Sequence, residues 1–230
     1  MVKRLSERAE FWILLLVAYG YPFVAGVMEL WAARATDEAR GPVRVGDADL
    51  WPIVIFELVA GGLILLFLRG RGRTWADLRP EVSWQDTVRG VGVFFGAIAA
   101  MWLALVFAAG LPAAGDRLAD VPVEASFGLP AAVLVALINP LFEEAINLGY
   151  IQTRLRPQGA AFAIGGALLA RLLANLDQGP HALVGIVPLG LLFGIYHWRT
   201  GRLWPVIVAH AMIEGISLYV VSHPALASAP

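Results

Sequence analysis

Seven apolar stretches, at about residues 11–33, 50–69, 88–111, 128–150, 160–176, 181–198 and 203–222, leave this chain few ways to fold. Most reach the roughly 17–25 residues that an α-helix needs to cross a hydrocarbon core of about 30 Å. Lipid offers no partner to a backbone N–H or C=O, so stretches of this kind fold as helices that satisfy themselves. The whole composition agrees. Hydrophobic residues make up 59% and charged residues 15%, with a mean hydropathy of +0.70, against about 45–50% and 25% in soluble domains. The expectation is an all-α fold: one integral membrane domain over residues 1–230, a polytopic helical bundle of about seven transmembrane helices. The first stretch is too long, and too rich in Gly and Tyr, to read as a cleaved signal peptide. The fifth is the shortest and carries Arg171.

Several function classes drop out. The chain has no cysteine, which excludes thiol nucleophiles, thiolate zinc sites and disulfides. A net charge of −1 carries no nucleic-acid signal. HExxH, GxSxG and phosphate-binding glycine loops are absent from the sequence. So are the paired, broken apolar segments that mark inverted-repeat transporters.

The loops give an orientation. Lys3, Arg4, Arg8, Arg69, Arg71, Arg73, Arg79, Arg89, Arg154, Arg156, Arg199 and Arg202 all flank the stretches on one side. The other side has Arg34, Arg40, Arg44 and Arg117, diluted by acids such as Asp47, Asp49 and Glu124. Lys/Arg bias sets topology, so the amino terminus is expected in the cytoplasm and the carboxyl terminus outside, in a bacterial-type inner membrane. Trp51, Trp75, Trp84, Trp198 and Trp204 fall at stretch ends, as an interfacial aromatic belt requires. The cluster Arg69–Arg73 reads as a stop-transfer flank, and His181, His197 and His223 as interfacial histidines.

Polar residues inside apolar stretches narrow the search for a site. Glu143 and Glu144 stand side by side in the fourth stretch. A charged side chain at the bilayer centre costs about 2.5–3.5 kcal/mol on insertion scales, so an adjacent pair points to a polar cavity. Glu57 lies in the second stretch, Arg171 and Asn175 in the fifth, and His210 and Glu214 in the last. Each of the last two pairs is spaced by four and shares a helix face. These faces must turn inward, around a cavity lined by stretches four, five and seven. Glu57 and Arg171 are the expected ion pair.

Three segments then carry a resemblance: FEEAINLGYIQTRL (142–155), ARLLANLDQGP (170–180) and PLGLLFGIYHWRTGRLWPVIVAHAMIEG (188–215). They resemble the CAAX-protease and bacteriocin-processing (CPBP, or Abi) family of intramembrane metalloproteases. That family has an EExxxR motif, a middle histidine closing an FxxxH-like motif and a final HxxxN or HxxxD. The resemblance covers roughly residues 136–215, within a protease-like core of about 128–222. It departs at the chemistry: Leu148 stands where the family has arginine, Asn175 where it has the middle histidine, and Glu214 where it has Asn or Asp. Phe193 and His197 also read as FxxxH, but QGP at 178–180 sets the register at Asn175.

The resemblance implies an endopeptidase in which a glutamate activates water against a peptide bond of a membrane-embedded or prenylated substrate. The carried-over site is Glu143, Glu144, Asn175, His210 and Glu214, with Glu143 as general base. A divalent metal such as zinc is a candidate cofactor, with Glu143, His210 and Glu214 as its candidate ligands. The alternative is a proteolytically silent family member whose cavity binds a peptide, lipid or metal. Membrane lipid is an expected partner in either case. Reporter fusions at the two termini test the topology. The basic-loop asymmetry over seven spans predicts opposite sides, and a result with both termini on one side would overturn it.

Overall fold

The computed structural model describes residues 6–35, 43–72, 81–110, 123–178 and 182–223. Lys3, Arg4, Arg40, Arg73, Trp75, Arg79, Arg117, Gly179, Pro180 and His181 lie outside these residues. Helix α1 (Glu7–Ala35) leads to a short strand β1 (Val43–Gly46), then α2 (Asp47–Gly70) and α3 (Trp84–Ala109). Strand β2 (Val123–Ser126) precedes α4 (Leu129–Glu144). A π-helical segment (Ala145–Gln152), the single turn α5 (Thr153–Leu155) and a 3-10 turn (Arg156–Gln158) continue α4. After these come α6 (Ala160–Ala174), a 3-10 turn (Leu176–Gln178), α7 (Leu183–Thr200) and α8 (Trp204–Ser222). The fold is an all-α polytopic bundle.

Among the described residues, six helices are long and apolar enough to cross a membrane: α1, α2, α3, the continuous stretch Leu129–Gln158, α7 and α8. The protein is therefore an integral membrane protein. The fifth expected span is shorter than the others. Helix α6 has 15 residues, about 22 Å at 1.5 Å per residue, against a core of about 30 Å. Asn175 stops it by turning out of the helical conformation and donating its side-chain amide to the Arg171 carbonyl at 2.8 Å. The fourth span instead runs longer than the sequence suggests, to Gln158. Pro140 sits inside α4 and the widened π turns begin at Ala145. Proline removes an amide donor, and local π geometry is one way a membrane helix absorbs the loss.

Two short strands went unforeseen, because four residues are too few to show an alternating pattern. They pair in parallel with Val43 opposite Val123 and Gly46 opposite Ser126, tying the α1–α2 connection to the α3–α4 connection. Asp47 adds to the tie by accepting from the Gly128 N–H at 2.9 Å. The main core gathers Leu14, Ala18, Ile151, Phe193, Val206 and Ala209 from α1, the π segment, α7 and α8. A smaller cluster of Leu50, Val54, Ala131 and Val135 joins α2 to α4.

Polar clamps close the opposite end. Asp86, buried at the start of α3, accepts from Arg202 Nη1 at 2.9 and 2.8 Å, and Trp204 Nε1 donates to Thr87 Oγ1 at 2.9 Å. Arg71 donates to the buried Glu10 at 3.0 Å, so part of the expected stop-transfer flank is also a helix–helix tie. Trp51, Trp84, Trp198 and Trp204 all fall near helix ends. His197 corrects an expectation. It is 5% exposed, packed inside the bundle rather than at the interface, with Nδ1 2.6 Å from Gln152 Oε1.

Helices α3 and α8 meet at Gly90, where an added Cβ would lie 2.7 Å from Val208 Cβ and 2.9 Å from the Pro205 carbonyl. Close backbone approach at small residues is how membrane helices gain packing contacts. Gly90→Ala should therefore cost about 1–3 kcal/mol of overpacking. It should read out as a lowered thermal midpoint in detergent, and an unchanged midpoint would show that α3 can shift freely against α8.

Candidate functional site

Glu143 and Glu144 lie at the end of α4, about midway along the Leu129–Gln158 stretch. Two carboxylates here need a counter-charge, and α6 supplies it. Arg171 Nη1 donates to Glu143 Oε2 at 3.1 Å, while Nη2 donates to both oxygens of Glu144 at 2.6 and 2.7 Å. One guanidinium thus bridges two adjacent acids. Its planar array of five donors suits this, and a lysine ammonium would lack the fork. Its stem packs against α7 at Gly190, where an added Cβ would stand 3.5 Å from Arg171 Cδ and 2.7 Å from Leu168 Cδ1. Arg171 is 4% exposed and Glu144 is completely buried.

Helix α8 completes the cluster. His210 Nδ1 lies 2.6 Å from Glu144 Oε1. With Glu144 accepting from Nδ1–H, the imidazole is held in one orientation and Nε2 is left for another partner, the arrangement in which a carboxylate positions a working histidine. The Phe193 ring packs 6.0 Å from the His210 ring, centroid to centroid. Arg171 therefore pairs with Glu143 and Glu144, not with Glu57 as the sequence suggests. Glu57 accepts instead from Asn139 Nδ2 at 2.7 Å.

A cavity of about 600 Å³ opens beside this cluster. Glu143, Asn175, His210 and Glu214 all line it, as do Arg171 and Glu57. Glu144 lies behind the wall, in contact with Arg171 and His210. The Asn175 amide is engaged locally: Nδ2 donates to the Arg171 carbonyl at 2.8 Å and Oδ1 accepts from Gln178 at 2.7 Å. Leu148, where the resemblance implies an arginine, is 2% exposed and packs in the main apolar core. The positive charge comes from 171, on another helix. Tyr19 of α1 also lines the cavity, and its buried hydroxyl has no hydrogen-bond partner among the described residues. Reasoning from sequence missed Tyr19, because one tyrosine in an apolar stretch is no signal by itself. Arg171 did leave a trace in the sequence, as an isolated arginine in an apolar stretch.

Glu143, Glu144 and His210 each offer a donor atom, all within 4.8 Å of one another. As a cage for zinc the set fails on its chemistry. Both Glu144 oxygens and one Glu143 oxygen already accept from a guanidinium, which stays charged at all accessible pH values. Catalytic zinc takes three protein ligands. Glu214, the third expected ligand, lies on the cavity but outside this cluster. The residues present do not fit a resident zinc ion in this arrangement.

The cluster makes a clear demand on stability. Arg171→Met would leave the buried Glu144 and the partly buried Glu143 beside it with no cation, and breaking a buried pair in this way costs about 3–5 kcal/mol. Leu148→Arg should also destabilise while Arg171 is present, since it buries a second guanidinium among apolar side chains. Thermal unfolding in detergent checks both. A neutral Arg171→Met would mean that the carboxylates have another source of compensation.

Comparison with known families places this geometry. A family model, Rce1-like (type II CAAX prenyl endopeptidase Rce1-like), matches residues 125–216. Comparison with curated proteins and with solved structures returned no match. The matched segment runs from β2 into α8 and contains Glu143, Glu144, Arg171, Asn175, His210 and Glu214. Tyr19 and Glu57 come from the preceding helices. The segment that supplies the ion cluster and much of the cavity wall is thus similar to the Rce1-like CAAX-protease (CPBP) family.

Proposed function

We propose that this protein is an intramembrane endopeptidase that cleaves a membrane-embedded or prenylated peptide with water activated by Glu143. One observation carries the reading. Within the family-matching segment, Glu143 and His210 share the wall of an interhelical cavity, and each is held by a buried partner, Arg171 and Glu144. The partners fix both side chains before substrate arrives, and such preorganisation is where most catalytic power resides.

In the proposed reaction Glu143, with capacity left on its carboxylate beyond the Arg171 bond, accepts a proton from water. A lone pair of the water oxygen forms a bond to the scissile carbonyl carbon, and the C=O π pair moves to the carbonyl oxygen. His210, oriented through Nδ1 by Glu144, uses Nε2 to position the water or, when protonated, to donate to the oxyanion. Asn175 has a second amide hydrogen for the same oxyanion. Collapse breaks the C–N bond, and protonated Glu143 returns its proton to the leaving amine. Glu214 lines the same cavity one turn beyond His210 and is assigned to substrate positioning. The protein would work in a bacterial-type inner membrane with its amino terminus in the cytoplasm.

A second reading has its own support. Arg171 holds Glu143, and one amide hydrogen and the oxygen of the Asn175 side chain are engaged at the end of α6. Both features favour a silent family member whose cavity binds peptide or lipid without cleaving it.

Glu143→Gln separates the two. It keeps the side-chain shape and removes the base, so cleavage of an internally quenched membrane peptide should fall by at least about 10²-fold. The thermal midpoint should move far less than in Arg171→Met. Chelator should leave the rate unchanged, because the donor set does not fit zinc. Parent turnover equal to that of Glu143→Gln would sink the protease reading and leave the silent one.

A further inference from the structure

The wall of the cavity away from Glu143 is built for a cation. Five carboxylates line the cavity, from Glu29, Asp49, Glu57, Glu143 and Glu214, against a single arginine, Arg171, already bridging Glu143 and Glu144. Acidity alone would say little, but Glu57 adds a specific vacancy. It is 5% exposed, its Oε1 accepts from Asn139, and its Oε2 is buried with no partner among the described residues. A carboxylate so placed needs a donor to complete it, since an unmatched buried polar atom costs about 1–3 kcal/mol.

The neighbouring wall is aromatic. Phe56 precedes Glu57 on α2, and its ring lies 5.5 Å from that of Tyr21 and 6.4 Å from that of Phe142; all three residues line the cavity. Aromatic faces beside a carboxylate are the chemistry that recognises alkylammonium groups. The unpartnered Tyr19 hydroxyl lines the same cavity and suits a substrate carbonyl.

Position then gives a register. Asn139, which holds Glu57, precedes Glu143 by four residues on α4. The two share a helix face about 6 Å apart along the axis. An extended peptide advances about 3.3 Å per residue, so 6 Å corresponds to roughly two residues.

We propose that Glu57, Phe56, Tyr21 and Phe142 form a substrate subsite for an alkylammonium group, supplied by a lysine side chain about two residues from the scissile bond. This assignment rests on the endopeptidase reading for its register but not for its chemistry. A neutral or anionic group at that position is disfavoured, because it leaves Glu57 Oε2 unmatched or repelled.

The test uses the full-length protein in phosphatidylglycerol nanodiscs, where no lipid ammonium competes. Internally quenched apolar peptides carry lysine, norleucine or glutamate at successive positions around the cleaved bond, and the same peptides, fluorescein-labelled, are titrated onto Glu143→Gln for binding. Lysine should be favoured over norleucine by about tenfold or more at one position, roughly two residues from the bond, and glutamate should be the poorest. Glu57→Gln should bring the lysine-to-norleucine ratio close to one. Phe56→Leu, which keeps the carboxylate, should lower it about threefold, and stands in if Glu57→Gln does not fold. Cleavage without lysine preference, or a preference indifferent to both substitutions, overturns the subsite and leaves the endopeptidase standing. Lysine-selective binding that depends on Glu57, with no cleavage by the parent, supports the subsite and overturns the endopeptidase. Binding that phosphatidylcholine abolishes while lysine and norleucine peptides behave alike assigns the aromatic wall to a lipid headgroup and overturns the peptide proposal.

Discussion

A guanidinium placed between two adjacent carboxylates in the middle of an apolar bundle is the constraint to which the rest of this structure answers. Glu143 and Glu144 could not remain ionised side by side in that setting without a fixed cation in contact, and Arg171 is that cation. Meeting the requirement ties α6 to α4. The arginine stem packs against α7 at Gly190, and His210 brings α8 to Glu144 Oε1. The same requirement helps to explain why α6 is short. Asn175 ends it one turn beyond Arg171 by capping the Arg171 carbonyl, so the residue that closes the helix also reaches the cavity.

The remaining buried polar groups divide by what they touch. Asp86 with Arg202, Glu10 with Arg71 and Tyr150, and Gln152 with His197 and the Gly194 carbonyl are met by partners within the bundle. They hold helices together and leave little for a ligand. Around the cavity the accounting differs. Glu57 keeps an unpartnered oxygen and Tyr19 an unpartnered hydroxyl, on helices α2 and α1 that precede the family-matching segment. In the proposed reading, the matched segment would supply the reacting groups, and the earlier helices would add Tyr19 and Glu57 to the wall.

Much was legible without coordinates, for physical reasons that hold in any bilayer. Hydrocarbon forces unpaired backbone into helices, so apolar run length alone announced the bundle. It also makes ionisable residues expensive, so Glu143, Glu144, Arg171, His210 and Glu214 stood out as a set, and four-residue spacing put His210 and Glu214 on one face. The family motifs added order and spacing. Tertiary structure decided the partners. Arg171 could have met Glu57 or the glutamate pair, since neither helix register nor spacing ranks one ion pair above another across different helices; three-dimensional proximity chose the pair. Likewise His197 looked interfacial because it ends an apolar stretch, whereas α7 packs that end against Gln152. The two short strands and the π segment were invisible because neither has a periodicity long enough to register. Residue type and run length set what must be buried, and only the packing of the helices determined which buried groups would meet.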